Sequence, residues 1–228
     1  MTISHVKRPK EAARANYDRL SRWYDWFAFS ERKYRNLGLA KLHVCTGEQV
    51  LDVGFGTGHS VLALAKCVGD EGLVTGLDLS PQMMRRTAER LHATGLSYRA
   101  DLYVGDAAQM PFTPNSFDAV FMSFTLELFD TPEIPVVLAH CWRVLRENGR
   151  LCVVSLLKES KPGYAVRLYE WMHEKLPTVV DCRPIFVSKA IRDAGFSVTA
   201  ELKLPMWGLP VAIVCAEKTR GDAISPDI

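Results

Sequence analysis

The sequence predicts an α/β fold, with a mostly parallel β-sheet covered by helices on both faces. Short apolar stretches alternate with stretches of helical patterning along most of the 228 residues, and such alternation is typical of parallel sheets. Polar residues directly follow several of the apolar stretches. Because ligands of these folds bind beyond the carboxyl ends of the strands, those polar residues are the first candidates for a functional site.

The expected elements follow one another without an internal repeat or a linker. Residues 10–43 carry helical patterning. Strands are expected near 49–53, 73–77, 99–104, 117–122 and 150–156, and helices near 58–67, 81–93 and 133–146. A helix over 164–176, a short helix over 188–194 and closing strands over 196–204 and 210–217 complete the prediction.

The strongest local signal is a glycine-rich turn between the first expected strand and the helix that follows it. Residues 50–58 are Val-Leu-Asp-Val-Gly-Phe-Gly-Thr-Gly, and glycines let a ligand lie against the main chain near a helix N-terminus. A dinucleotide-binding loop would need a third glycine at His59, and a P-loop would need a lysine after Gly58. Both alternatives are therefore disfavoured.

A second candidate carboxylate ends the next expected strand. Asp78 follows Leu73–Leu77 and precedes Ser80-Pro81, a typical helix start. It lies 26 residues after Asp52, close to the roughly 20-residue spacing of ribose-binding carboxylates in dinucleotide folds. A carboxylate here can accept hydrogen bonds from both ribose hydroxyls, although a solvated residue preceding a helix would show the same local pattern.

Three later segments complete an ordered pattern. They are Gly105-Asp106-Ala107 with Pro111-Phe112, the strand that ends in Met122-Ser123-Phe124, and Val144–Leu151. With the first two segments, they resemble the motifs of the class I S-adenosylmethionine (SAM)-dependent methyltransferases, and in particular the ubiquinone/menaquinone-biosynthesis C-methyltransferase branch. The sequence departs from the family at Glu147-Asn148-Gly149, where Pro-Gly-Gly is usual, but Asn-Gly remains a good turn pair.

The resemblance implies a Rossmann-like, seven-stranded, mostly parallel sheet with an antiparallel last strand and an N-terminal helical lid. It implies a single methyltransferase domain over residues 1–228. Within that domain we expect a helical cap (1–45), a SAM-binding core (46–158), a substrate-lid insertion (159–186), and closing strands with a tail (187–228). The implied cofactor is SAM, with S-adenosylhomocysteine as the product.

The resemblance also implies a set of cofactor-binding residues. These are Tyr24, Asp52, Gly54, Gly56, Gly58, Asp78, Leu79, Met83, Gly105, Asp106, Ala107 and Ser123. In the family the glycine loop faces the amino acid and ribose parts of SAM, and Asp52 can help to hold the ammonium group. Asp106 is expected to accept from the adenine amine and Tyr24 to close over the cofactor. Met83 and Met84 are expected either on the adenine or in the core, with the core favoured for at least one.

The acceptor is expected to bind between the N-terminal helices, the segment after Ser123 and the insertion, all of which are rich in aromatic residues. Candidate bases are Tyr24, Glu127 and His173, although no spacing rule supports them. Arg183 either clamps an anionic acceptor or anchors the insertion.

We therefore expect methyl transfer to a small, aromatic or apolar acceptor, at a quinol-like carbon, a phenolic oxygen, a thiol or an amine. The alternatives are an RNA or protein methyltransferase and a non-catalytic SAM-binding protein. Ser123-Phe124-Thr125-Leu126 stands where an Asn-Pro-Pro-Tyr type motif would indicate amino-group methylation of bases.

The composition limits the classes of partner that the protein is expected to bind. The net charge of +2 argues against a nucleic-acid groove, and the apolar runs are too short for a membrane span. We expect a monomer or homodimer that acts on a small molecule, with peripheral membrane contact left open. The six histidines show no metal-ligand spacing, and no metal is expected.

The six cysteines form no Cys-x-x-Cys pair. Cys67, Cys141, Cys152 and Cys215 have apolar neighbours, so we expect reduced core residues and a cytoplasmic location.

Overall fold

A computed structural model describes residues 30–159 and 182–219. The strands are β1 (Gln49–Val53), β2 (Leu73–Asp78), β3 (Ala100–Val104), β4 (Phe117–Ser123), β5 (Leu145–Leu156), β6 (Ser197–Met206) and β7 (Leu209–Glu217). The helices are α1 (30–42), α2 (His59–Cys67), α3 (Pro81–Ala93), α4 (Glu133–Val144) and α5 (Val187–Asp193). The expected helix over 164–176 lies outside the described residues, as do the candidate residues Tyr24 and His173.

The seven strands form one sheet in the order β3-β2-β1-β4-β5-β7-β6. The first five pair in parallel, whereas β7 is antiparallel to both of its neighbours. The tight connection between β6 and β7 explains the reversal, because Trp207 and Gly208 both adopt positive φ, of 50° and 82°, and a short hairpin joins only antiparallel strands. The predicted Rossmann-like sheet with an antiparallel last strand is confirmed.

Helices cover both faces of the sheet. Leu42 of α1, Leu64 of α2 and Leu91 of α3 pack in one buried cluster with Val50 of β1. Residues from α4 and α5 form the second cluster with Leu51, the next residue of β1. Alternate residues of a central strand are therefore buried on opposite faces, which explains why the parallel strands appear in the sequence as continuous apolar stretches.

The turn expected at Glu147-Asn148-Gly149 is instead a bulge within β5. The strand begins at Leu145, directly after α4. Its register with β4 jumps from Phe117↔Leu145 to Ala119↔Arg150, so the intervening residues bulge out. Asn148 takes a left-handed φ of 61°, and its amide donates to the Lys218 carbonyl at 2.9 Å. The Asn-Gly pair thus keeps its turn chemistry without separating helix from strand.

The prediction that Cys67 is a core residue is wrong. Cys67 is exposed, whereas Cys141, Cys152 and Cys215 are buried. Cys67 is the last residue of α2, where an apolar neighbour in sequence does not guarantee that the side chain faces the core. Within residues 30–159 and 182–219, no helix is both long and apolar enough to cross a membrane.

Candidate functional site

The carboxyl ends of the central strands meet at one edge of the sheet. Val53 of β1 is in register with Leu77 of β2 and Met122 of β4, so the residues that follow them leave the sheet side by side. The Gly54 amide donates to the Leu77 carbonyl at 2.7 Å, and the Gly105 amide donates to the Asp78 carbonyl at 2.9 Å. Gly54, Asp78, Gly105 and Ser123 thus lie at one edge of the sheet.

The three glycines of the turn have different surroundings. Gly54, Gly56 and Gly58 have left-handed φ angles of 72°, 52° and 81°. A Cβ at Gly54 would overlap the Thr125 side chain, and one at Gly58 would lie 2.5 Å from the Thr87 side chain. Among the described residues, no atom lies within 4 Å of a Cβ built on Gly56. Two glycines therefore serve packing, while Gly56 borders open space in which a ligand can approach the main chain.

Two threonines, which sequence reasoning missed, support this turn. The Thr87 hydroxyl of α3 donates to the Gly56 carbonyl at 3.1 Å. The Thr125 hydroxyl shares its one proton between two carbonyl acceptors, that of Ser123 at 3.1 Å and that of Gly54 at 3.4 Å. The turn is thus fixed by residues from two other elements.

The backbone holds the Asp78 carboxylate in place. Its Oδ2 accepts from the Gly56 amide at 2.8 Å, and its Oδ1 accepts from the Ser80 amide at 2.9 Å. Burial raises the pKa of Asp78, while these backbone hydrogen bonds lower it. Each carboxylate oxygen can accept a second hydrogen bond, so the group suits a pair of neighbouring hydroxyls.

The Asp52 carboxylate is buried and incompletely paired. The residue is 1% exposed, and its Oδ2 has no hydrogen-bond partner in the described part of the chain. Burial raises its pKa to about 7, and a hydrogen bond from Ser60 and the charge of Arg35 oppose that rise. A buried acceptor of this kind is costly unless a donor or cation satisfies it. It therefore fits the ammonium group of an amino acid.

Helix α1 brings two further charges to this region, and sequence reasoning missed both. Arg35 is half-buried near Asp52, and its pKa is lowered by burial. Burial and then the charge of Glu127 raise the pKa of Glu31 to about 8. A face built from residues 31, 34, 35, 38 and 42 could have revealed them, because the buried residues Tyr34 and Leu42 share that helical spacing.

Glu127 is the one candidate base that falls within the described residues. It lies in a 3₁₀ turn (Leu126–Leu128) shortly after β4 and is fully buried. Its Oε1 accepts from the Leu156 amide at 3.1 Å, and its Oε2 has no hydrogen-bond partner in residues 30–159 or 182–219. Burial raises its pKa to about 7, against hydrogen bonds and the charge of Arg183. The carboxyl group is thus a buried acid with a raised pKa and one oxygen that no described residue satisfies.

Arg183 is held against the segment that follows the 3₁₀ turn. Its guanidinium donates to the Phe129 carbonyl at 2.6 Å and to the Thr131 hydroxyl at 3.1 Å. The side chain is 1% exposed. Of the two roles considered for Arg183, these contacts support the anchor.

The remaining cofactor-binding candidates lie just after β2, just after β3 and on α3. Asp106 follows β3 and accepts from the Ala108 amide at 2.9 Å. Ala107 is buried and Leu79 half-buried. Met83 is 2% exposed and belongs to the core cluster beneath α3, so its side chain has little surface to offer a cofactor. No group of three metal-ligating side chains occurs in the described parts of the chain.

Known proteins share both the sequence pattern and the fold. A family model described as a methyltransferase domain matches residues 50–149. The demethylmenaquinone methyltransferase of Geobacillus stearothermophilus is 35% identical over 158 residues, 69% of this chain and 64% of that protein. The enzyme of the same name from Geobacillus kaustophilus is 32% identical over 173 residues, 75% of this chain and 71% of that protein. The chain spans less than two thirds of the length of several such relatives, for example 56% of the one from Lactobacillus johnsonii.

A solved structure supports the fold. The crystal structure of a SAM-dependent methyltransferase from Aquifex aeolicus matches with a TM-score of 0.61 and 23% identity, covering 81% of this chain and 89% of that one. At this identity, the likeness concerns the fold alone. The sequence relatives define the family: the chain belongs to the class I SAM-dependent methyltransferases, in the group that includes the demethylmenaquinone methyltransferases.

Proposed function

We propose that this protein transfers a methyl group from SAM to a small aromatic acceptor of the quinol type. The observation that carries the proposal is that two carboxylates with different surroundings lie beside the glycine turn. Asp78 is held by two backbone amides, and Asp52 is buried with one unsatisfied oxygen. Together they offer acceptors for a ribose diol and an ammonium group, the two polar ends of SAM nearest this turn.

Each part of the site has a proposed role in holding the cofactor. Asp78 binds the ribose hydroxyls, and Asp52 binds the ammonium group directly or through water. Gly56 provides open space beside the main chain, flanked by Gly54 and Gly58. Leu79, Gly105, Asp106 and Ala107 border the adenine, while Ser123 ends the strand below the sulfur.

Bound SAM supplies a methyl group on a positively charged sulfur, which is a good leaving group. The protein therefore has to position the acceptor and exclude water, which can contribute up to roughly 7–11 kcal/mol for well-oriented reactants. We propose that Glu127 accepts a proton from the acceptor, since a base is most effective with a pKa near the working pH. Its pKa of about 7 meets this requirement.

The quinol class is supported by the name of the sequence relatives, demethylmenaquinone methyltransferase. A ring carbon of a quinol becomes a better nucleophile when a neighbouring hydroxyl loses its proton, and a buried carboxylate can accept that proton. Phenols, thiols and amines of similar size are the competing acceptor classes.

A turnover assay tests the proposal. The full chain is incubated with SAM and, separately, a demethylated naphthoquinol, a phenol, a thiol and an amine, and S-adenosylhomocysteine and methylated products are measured by mass spectrometry. We expect S-adenosylhomocysteine to form together with the C-methylated quinol. Turnover with the thiol or amine alone would refute the acceptor class. Binding of SAM without product from any acceptor would instead indicate a non-catalytic SAM-binding protein.

A further inference from the structure

Two cysteines face each other across β5 and β7, away from the glycine turn. Cys152 and Cys215 are register partners on these antiparallel strands, and their sulfur atoms are 3.4 Å apart. Such partners have Cα atoms about 4.5–5.5 Å apart, within the roughly 4.4–6.8 Å range of disulfides. Rotation of the side chains is therefore enough to bring the sulfurs to bonding distance.

The two thiols differ in access. Cys215 lines a surface pocket of about 220 Å³, together with Lys41, His43 and Arg150, and it is 9% exposed. Cys152 is fully buried beneath it, and its thiol donates to the Gly38 carbonyl of α1 at 3.4 Å. A small solute in the pocket can thus reach Cys215 but not Cys152.

The pKa values of the two thiols also differ. The hydrogen bond with Cys152 and the charge of Lys41 lower the pKa of Cys215. The contact with Cys215 and burial raise the pKa of Cys152. Because Cys215 lines the pocket and Cys152 does not, Cys215 is the sulfur that reacts first, as the thiolate, and Cys152 is the neighbouring thiol that can follow.

We propose that Cys152 and Cys215 form a reversible oxidation site for small hydroperoxides that enter the Lys41–Arg150 pocket. The Cys215 thiolate attacks the outer peroxide oxygen, the O–O bond breaks, and a proton from water converts the leaving alkoxide or hydroxide to an alcohol or water. The Cys152 thiol then attacks the Cys215 sulfenic acid, and its proton leaves with the hydroxyl group as water. The product is a disulfide between β5 and β7, which thiol reductants reverse.

Disulfide formation would also change the contact with α1. The Cys152 thiol loses the proton that it donates to the Gly38 carbonyl. Helix and sheet are tightly packed there, since a Cβ on Gly38 would lie 2.6 Å from Cγ2 of Val154. Oxidation is therefore expected to remove one hydrogen bond between β5 and α1.

The test uses the full chain with the exposed cysteines replaced, Cys45→Ser and Cys67→Ser, to prevent cross-linking between molecules. After brief treatment with hydrogen peroxide, we expect peptide mass spectrometry without reduction to find Cys152 joined to Cys215, with the loss of two hydrogens. Dithiothreitol should restore both thiols. In the Cys152→Ser variant, dimedone should label Cys215 as a trapped sulfenic acid.

Cys141 provides the matched control, because it is a buried thiol on α4 whose pKa is raised by burial. Dimedone labelling of Cys215 should exceed that of Cys141 by roughly tenfold or more, and Cys141→Ser should leave the cross-link unchanged. Failure to form the Cys152–Cys215 link in protein with a native circular dichroism spectrum would overturn the proposal, as would equal labelling of Cys215 and Cys141. The readout is a mass, so it is independent of methyl transfer.

Discussion

Asp52 and Asp78 lie on neighbouring strands, yet their surroundings suit them to different ligand groups. Asp78 is half-buried and already accepts a hydrogen bond at each oxygen. Asp52 is enclosed, with one oxygen unsatisfied. A fixed, partly accessible carboxylate suits two hydroxyls, whereas an enclosed one favours a positively charged donor.

Replacing Asp78 with alanine tests the first of these roles. We expect Asp78→Ala to weaken SAM binding by about 1–3 kcal/mol, because hydrogen bonds to a charged acceptor are lost. Isothermal titration calorimetry measures the change, with thermal unfolding to confirm that the fold is retained. The control is Asp101→Ala, an exposed carboxylate on β3, which should bind SAM normally. Equal affinities for the two variants would remove Asp78 from the site.

The pH dependence of turnover tests Glu127. Since a carboxyl group must be ionised to accept a proton, kcat at saturating SAM should fall as the pH drops below the Glu127 pKa of about 7. Glu127→Gln should lower kcat by about 10²–10⁴-fold and abolish this acid limb. Glu89→Gln, on the exposed side of α3, should retain the limb. An unchanged profile in Glu127→Gln would show that another group accepts the proton.

The sequence predicted the strand-end carboxylates but not the residues that support them. Asp52 and Asp78 were found because each ends or interrupts an apolar strand next to a turn. Thr125 contacts Gly54 from 71 positions away in the chain, and no local spacing rule reveals such a contact. Arg35 was detectable in principle, because it shares a helical face with buried Tyr34, but its role depends on how α1 packs against the sheet.

At the level of elements, two glycines of the turn have different roles. Gly54 allows close packing, and Gly56 leaves space for a ligand. Left-handed backbone costs roughly 1–2 kcal/mol for a residue with a Cβ, so alanine at either Gly54 or Gly56 is destabilising. At Gly54 the added carbon also meets the Thr125 side chain, whereas at Gly56 it meets no atom of the residues that the structure describes. The two substitutions should therefore affect different properties.

We expect Gly54→Ala to lower the melting temperature more than Gly56→Ala does. Gly56→Ala should instead cause the larger loss of SAM affinity relative to its loss of stability, because the methyl group occupies space left for the ligand. Calorimetric unfolding and binding titrations on both variants measure the two effects. If Gly56→Ala binds SAM as well as the unsubstituted protein does, the open space beside Gly56 is not the ligand position.

Element order was predictable because hydrophobic periodicity is local, whereas the start of β5 was not. The sequence indicated a helix, a turn and a strand between Val144 and Leu151. The structure continues directly from α4 into β5, since the pairing of Leu145 with Phe117 and the bond from Asn148 to Lys218 absorb the turn as a bulge. Phe117 belongs to β4 and Lys218 follows β7, so no pattern within the segment contains these partners.

At the level of the whole molecule, three carboxyl groups buried near the site make stability depend on pH. Folding raises the pKa values to about 8 for Glu31 and about 7 for Asp52 and Glu127. These groups hold their protons more tightly in the folded state, so the stability they contribute is present near pH 4 and is lost as the pH rises towards 8. The free energy of unfolding should fall over this range, by on the order of a few kcal/mol for each of the two fully buried groups.

Asp52→Asn isolates one part of this effect. The neutral amide removes a buried charge, so at pH 8 the variant without ligand should unfold at a higher temperature than the unsubstituted protein does. It should also bind SAM more weakly, because it no longer offers a charge to the ammonium group. Urea unfolding at pH 4, 6 and 8 measures how the free energy of unfolding changes with pH, and Asp101→Asn is the control. If the free energy of unfolding depends on pH equally in Asp52→Asn and Asp101→Asn, the buried Asp52 carboxylate does not contribute to the pH dependence.

The most direct test of the account is a crystal structure of the protein with S-adenosylhomocysteine. We predict that both ribose hydroxyls lie on the Asp78 carboxylate and that the ammonium group reaches Asp52 Oδ2, directly or through one water. The ligand backbone should pass beside Gly56. A ligand bound at another edge of the sheet, or a ribose turned away from Asp78, would contradict the proposed cofactor site.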